Sequence, residues 1–216
     1  MAETRRSLRA LGRVAFAGGI LAVGASPARG ATFTVTSTVD AADIGVGDGL
    51  CSAIVGVLPD PPPLFVFGCT LRAALQEANF APGADAIIVP AGSFAVALAV
   101  TAVDDAGGDL DITDGVAITG AGSASTILDA SALPAGQPAL AITDPAPAVG
   151  DPVGLLLTGV TIADAPAEGL FSQTTTHFEL EDVVIHGSGT YGIRKNGVGL
   201  DPIADSRIAE STNAGL

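Results

Sequence analysis

Tryptophan is absent from the 216 residues, and there is one tyrosine, Tyr191, and one methionine. A carbohydrate site built on stacked rings therefore has little to use, with Tyr191 beside Gly192 its single candidate. Histidine is nearly absent too. His177 and His186 stand nine residues apart, with no Ser or Cys nearby in a nucleophile motif, and both read as surface or turn residues. Bases are few: nine Lys and Arg face 23 Asp and Glu, a formal charge of −14. Five of the nine (Arg5, Arg6, Arg9, Arg13, Arg29) and one acid, Glu3, fall in the first thirty positions, so residues 31–216 carry 4 bases and 22 acids, or −18. A body this acidic repels phosphate backbones and anionic headgroups, which excludes nucleic acid and electrostatic docking on an anionic membrane. Beyond the leader, Asp, Gly and Pro interrupt every apolar run before it could span a bilayer. What the chain does have is apolar bulk. With 48% hydrophobic and 15% charged residues it can bury a core, and its length suits one domain.

Residues 1-30 read as a signal peptide. Arg5, Arg6, Arg9 and Arg13 form a basic region, Val14 to Gly24 an apolar core, and Ala28-Arg29-Gly30 a small-x-small cleavage site before Ala31. No Cys follows the apolar core to take a lipid. Thr4-Arg5-Arg6-Ser7-Leu8 resembles a twin-Arg signal, and Sec and twin-Arg export both stay open. The mature protein is expected to begin near Ala31 outside the cytoplasm, in the periplasm, at the cell surface or in the medium.

The two cysteines, Cys51 and Cys69, both fall in the mature part, and an even count in an exported chain reads as one disulfide. Closing that loop is worth about 3 kcal/mol in the chain-entropy model. A metal site would need His or Cys nearby. A catalytic thiol would need an electropositive setting, whereas Asp48 and Asp60 flank the loop.

Phe33 to Val39 alternates large apolar with hydroxyl residues, the period of a strand with one buried face. Ala41 to Gly68, rich in Gly and Pro, reads as loop. The one convincing helix is Thr70 to Phe80: Leu71, Ala74, Leu75 and Ala78 make a single stripe, Thr70 is a plausible N-cap, and Pro82-Gly83 ends it. Short β-rich runs follow, at 87–89, 94–100, 116–119 and 126–128. The last third repeats at 23 residues. Leu157, Leu180 and Ile203 share a phase, as do Ile162, Ile185 and Ile208, and the pairs Gly169-Leu170, Gly192-Ile193 and Gly215-Leu216. A change of side-chain parity within each repeat places a bend at Thr158-Gly159, Glu181-Asp182 and Ala204-Asp205. The expectation is an all-β chain, a right-handed parallel β-helix of about 23-residue coils over 101-216, with an N-terminal strand and capping helix in 31-100. Leu71, Leu75 and Ala78 would plug the N-terminal end of that solenoid. The last coil stops at Leu216 without a polar cap, so the C-terminal edge is expected to pair with further sequence or with another chain.

Cys69-Thr-Leu-Arg-Ala-Ala74 resembles the Cys-Ser-Leu-Arg-Glu-Ala run of exported bacterial CSLREA-domain proteins. The surroundings are similar as well: Gly47-Asp48-Gly49-Leu50-Cys51, Ala78-Asn79, Pro82-Gly83-Ala84-Asp85 and Pro90-Ala91-Gly92, with Asp109-Leu110-Asp111-Ile112 and Gly120-Ala121-Gly122 beyond. The resemblance covers roughly 32–130. It implies a pectate-lyase-like β-helix with this region at its N-terminal end and no defined activity. Two departures stand out. A proline run enlarges the loop between the cysteines, and Ala73 replaces the glutamate of the capping box, so Thr70 keeps only half of it.

Polyuronate lyases of this shape use an Arg or Lys base and carboxylate-bound calcium. The nearest match here is Arg194 and Lys195 with Asp182 and Asp205, which would occupy equivalent corners; Arg72 belongs to the helix. Asp104, Asp105, Asp109 and Asp111 have calcium-like density without EF-hand spacing, so Asp105, Asp109 and Asp111 are the calcium candidates, with solvated turn as the competing reading. No cofactor is otherwise implied. The favoured function is a noncatalytic structural or adhesive module, meeting a polysaccharide or a cell-surface protein. The alternative, a polysaccharide lyase or glycoside hydrolase, rests on fold analogy.

Overall fold

The computed structural model describes residues 30–59, 61–99, 107–143, 153–173, 177–197, 201–209 and 211. Residues 1–29 of the leader, Asp105 and the Gly215-Leu216 pair lie outside them. After β1 (Thr32–Thr34) come β2 (Ala53–Leu58), β3 (Leu64–Gly68) and the helix α1 (Leu71–Phe80). Then follow β4 (Asp85–Ile88), β5 (Gly92–Ala95), β6 (Leu110–Ile112), β7 (Val116–Thr119), β8 (Thr126–Asp129) and β9 (Leu140–Ile142). The rest are β10 (Val153–Ala163), β11 (Leu170–Ser172), β12 (His177–His186), β13 (Ile193–Lys195), β14 (Ile203–Ala204) and β15 (Arg207–Ile208).

The pairing corrects the sequence-based fold. The strands form mostly parallel sheets curled into a half-barrel, with one helix among the described residues, and not a β-helix solenoid. One nine-stranded sheet runs β1-β4-β7-β10-β12-β14 with β5, β8 and β15 attached; a four-stranded sheet runs β13-β11-β9-β6; β2 and β3 pair antiparallel. The 23-residue period expected over 101-216 holds only among the last strands. Partners Leu157 and Leu180, and Leu180 and Ile203, are 23 residues apart, but Ile118 and Leu157 are 39 apart and Ile87 and Ile118 are 31 apart. The third member also fails to bury: Ile203 is 41% exposed, while Leu157 and Leu180 are essentially inaccessible.

Register lines up the core. Phe33, Ile87, Ile118, Leu157 and Leu180 are successive partners across five strands and all are buried. Phe94, Leu128, Ile162 and Ile185 make a second row, and Leu110, Leu140, Leu170 and Ile193 a third across the smaller sheet. Along most of these strands the side chains between them are less buried, the alternation a half-buried sheet requires, although β9 is buried throughout and Thr161 of β10 is buried too. Gly159, Asp182 and Asp205, at the three parity changes, have φ of 66°, 51° and 48°. A left-handed residue turns the strand there, and Asp tolerates that region better than most L-residues.

The helix begins as its sequence dictates. Thr70 is extended, its Oγ1 accepts from Ala73 N at 3.0 Å, and its hydroxyl donates to Ala41 O. Ala81 leaves the helix in an extended conformation, as a residue before proline prefers. Leu71, Leu75 and Ala78 are buried in the core cluster, and α1 packs against β1, β4 and β6. The 41–68 segment read as loop holds the β2–β3 hairpin instead.

Candidate functional site

Cys51 and Cys69 form the expected disulfide, with Cα atoms 5.0 Å apart. It joins the start of the hairpin to the residue before the helix cap. Beyond it, α1 is held by polar side chains that the apolar stripe does not announce. Arg72, 2% exposed, donates from Nε to Asp40 Oδ1 at 2.7 Å and from one terminal nitrogen to Oδ2 at 2.9 Å. Its remaining donors reach the carbonyls of Gly108 and Asp109 at 2.7 and 2.9 Å. Asp40 Oδ2 also accepts from the amides of Ala97 and Leu98, both at 2.7 Å. Burial pushes the Asp40 carboxyl up, but Arg72 and the two amides outweigh it and hold the group below the usual carboxylate range.

Glu77, one helical turn on and 1% exposed, takes the amides of Gly47 and Gly49 at 2.7 and 2.8 Å, one on each oxygen. Both glycines have positive φ, 89° and 79°. The Gly-Asp-Gly run is thus a loop folded onto a helix carboxylate. Gln76 accepts from Asp43 N at 2.7 Å, and Asn79 bonds the backbone of Asp111 and Thr113. Spacing could have found this set: Arg72, Gln76 and Asn79 recur at i, i+4 and i+7, a polar stripe on a helix bordered by loops.

The hairpin is the reverse case. Among the described residues, most of its large apolar side chains lack cover: Ile54, Val57, Leu58, Leu64, Phe65, Val66 and Phe67 are each at least 40% exposed. Since Phe65 and Val66 are consecutive, both faces of β3 stand open. A soluble surface rarely carries apolar side chains massed in this way unless something covers them.

A second feature is a groove of about 310 Å³ outside the nine-stranded sheet. Its floor is the register row Ala86, Ala117, Leu156 and Glu179, where two alanines leave space. Asp85 lies at its edge, 1% exposed. Burial raises its carboxyl to about 6; the amide of Ala31 pulls it down and the charge of Asp114 adds to the rise.

The catalytic candidates fall apart into two sheets. Asp182 accepts from Ser123 Oγ at 2.6 Å and Ser123 N at 3.0 Å, and those bonds lower its pKa. Asp205 is the exposed residue at the next turn, following Ala204, the register partner of Glu181. Arg194 and Lys195 stand on β13 in the four-stranded sheet. Arg194 reaches Glu168 at 3.3 Å and lies 5.4 Å from the Phe171 ring. Lys195 holds both oxygens of Asp201, at 2.8 and 2.7 Å, and lies 5.4 Å from the Phe178 ring. His177 meets the same Asp201 at 3.2 Å. Of the calcium candidates, Asp109 and Asp111 offer their carbonyls to Arg72 and Asn79, and Asp105 lies outside the described residues. Among the described residues no three His, Cys, Asp or Glu side chains converge as a metal site. Nor, among them, is any helix long and apolar enough to cross a membrane.

No protein-family model, curated protein or solved structure matches this chain.

Proposed function

We propose that the protein is an exported, noncatalytic structural or adhesive module of the cell surface, periplasm or medium, and that the β2–β3 hairpin is the surface it presents. The observation that carries this reading is the hairpin's row of seven exposed apolar side chains. Both faces are open, so the occupant must embrace the ribbon. An apolar cleft of another surface protein can do that, whereas a polysaccharide laid on one face would leave the other wet. The leader-like first thirty residues and the disulfide favour an oxidising compartment. The resemblance of Cys69 to Ala74 and its surroundings to CSLREA-domain proteins supports the same address. The noncatalytic half of the reading draws on Arg194, Lys195 and Asp182, each engaged with a partner of its own.

The test exports the full chain and measures its retention on the envelopes of the exporting cells. Phe65→Ser with Phe67→Ser is expected to cut retention at least tenfold with Tm unchanged. In parallel the protein meets polyuronates and neutral polysaccharides with and without calcium. Unsaturated products or new reducing ends, or retention unaffected by the double substitution, would overturn the reading.

A further inference from the structure

The first described strand starts just after the cut that the leader motif predicts, and the residue at that cut is held on both sides. Ala31 accepts from Ala86 N at 2.9 Å, and its own N–H donates to Asp85 Oδ1. Asp85 N in turn donates to Gly115 O at 3.1 Å. The other carboxylate oxygen, Oδ2, is buried without a hydrogen-bond partner among the described residues, and no described Lys or Arg pairs with Asp85.

The groups around it are acidic. Asp114, from the turn before β7, repels it, and Glu179 of β12 lines the same groove. The helix α1, packed on β4, turns its ionisable side chains elsewhere, Arg72 to Asp40 and Glu77 to the Gly47 and Gly49 amides. A buried carboxylate in such a field is costly unless a cation meets it, and one neutral amide is a poor substitute. The nitrogen at that position belongs to the residue that would become the first of the mature chain. An α-ammonium there has a full charge and three donors, enough for both oxygens. The segment before it passes tightly: a β-carbon on Gly30 would come within 1.6 Å of Ala84 O.

We propose that Asp85 is the receiving site for the α-ammonium of Ala31, formed when a leader-removing peptidase hydrolyses the Gly30–Ala31 bond. The inference rests on the export reading above. In the hydrolysis, the C–N bond breaks, the oxygen of water joins the Gly30 carbonyl carbon as a carboxylate, and the Ala31 nitrogen leaves as an amine that is protonated at neutral pH. Removal of the leader thereby completes a buried ion pair that the precursor lacks. The processed fold is more stable than one in which the same nitrogen is acylated.

The experiment exports the full chain, reads its first residue by mass spectrometry, and follows Tm between pH 5 and 9 before and after acetylation near pH 6.5. At that pH, in denaturant, the α-amine has its ordinary pKa of about 8 and reacts ahead of lysine side chains, and the chain is then refolded. The recovered chain is expected to start at Ala31 and at pH 7 to melt about 2–4 °C above its acetylated form. The ammonium's pKa is raised by its partner and the Asp85 carboxyl of the acetylated form sits at about 6, so the gap is widest between about pH 6 and 8, narrows below that as this carboxyl takes up a proton, and closes as pH rises through the ammonium's raised pKa. Asp85→Asn should abolish the gap. Ala31 as first residue with equal Tm values, or with a gap that persists in Asp85→Asn, overturns the ion pair. A cut at another bond also overturns the ion pair, and a chain recovered with its leader intact overturns the export reading instead. Should Asp85→Asn fail to fold, the pH profile of the wild type decides: a gap that is lost at high pH supports the pair, and a gap independent of pH contradicts it.

Discussion

The two ends of the molecule are built on different chemistry. Around α1, residues 31–99 are tied by a disulfide, a buried Arg–Asp pair, a glutamate holding a glycine loop and a capped helix start. From β10 onward the chain relies on register: Leu157 over Leu180 and Ile162 over Ile185, with the ion pairs of Arg194 and Lys195 at its margin. The first region is specified by directional bonds that each have one acceptable partner. The second is specified by repetition, where a side chain of similar size serves equally well. Removing one member should therefore hurt the first region more sharply than the second.

The largest effect is expected from Arg72→Met. It leaves the Asp40 carboxylate buried and the Gly108 and Asp109 carbonyls without their donor, which costs about 3–5 kcal/mol. Denaturant unfolding reads this directly. The wild-type pair also sets a pH dependence. Asp40 is held below its ordinary pKa, so its contribution is present above about pH 4 and is lost as pH falls through and below that value. Arg72→Met should flatten that acid limb. Within the repeated region, Leu180→Ala should cost about 2–5 kcal/mol, since the residue is 1% exposed, whereas Ile203→Ala at the same phase should cost under about 0.5 kcal/mol. Equal losses at both positions would mean that the last strand is covered in solution. Reduction of Cys51–Cys69 should remove about 3 kcal/mol, seen as a lower urea midpoint. A smaller loss than that of the disulfide is expected at the helix start, where Thr70→Ala should cost about 1 kcal/mol.

Much of the secondary structure was legible in the residues. The stripe of Leu71, Ala74, Leu75 and Ala78 marked the helix, and Thr70 its cap. Val116 to Thr119 marked a strand, and the parity changes marked the turns at Gly159, Asp182 and Asp205. The hairpin was missed because Pro61, Pro62 and Pro63 spoke for loop, although the β-branched and aromatic runs on either side carried strand signal. The overall architecture was misread because a 23-residue period in the last strands was extended to segments whose connections run to 31 and 39 residues. Asp85 was invisible as a site. Its significance lies in the Ala31 nitrogen brought beside it by the β1–β4 pairing across 54 residues, and no local pattern encodes that meeting.

The contrast between the two regions is tested most directly by hydrogen exchange with mass spectrometry on Arg72→Met. Protection is expected to collapse in peptides spanning 31–99, with residues 153–197 retaining most of theirs. A uniform loss along the chain, or no loss around α1, would contradict it.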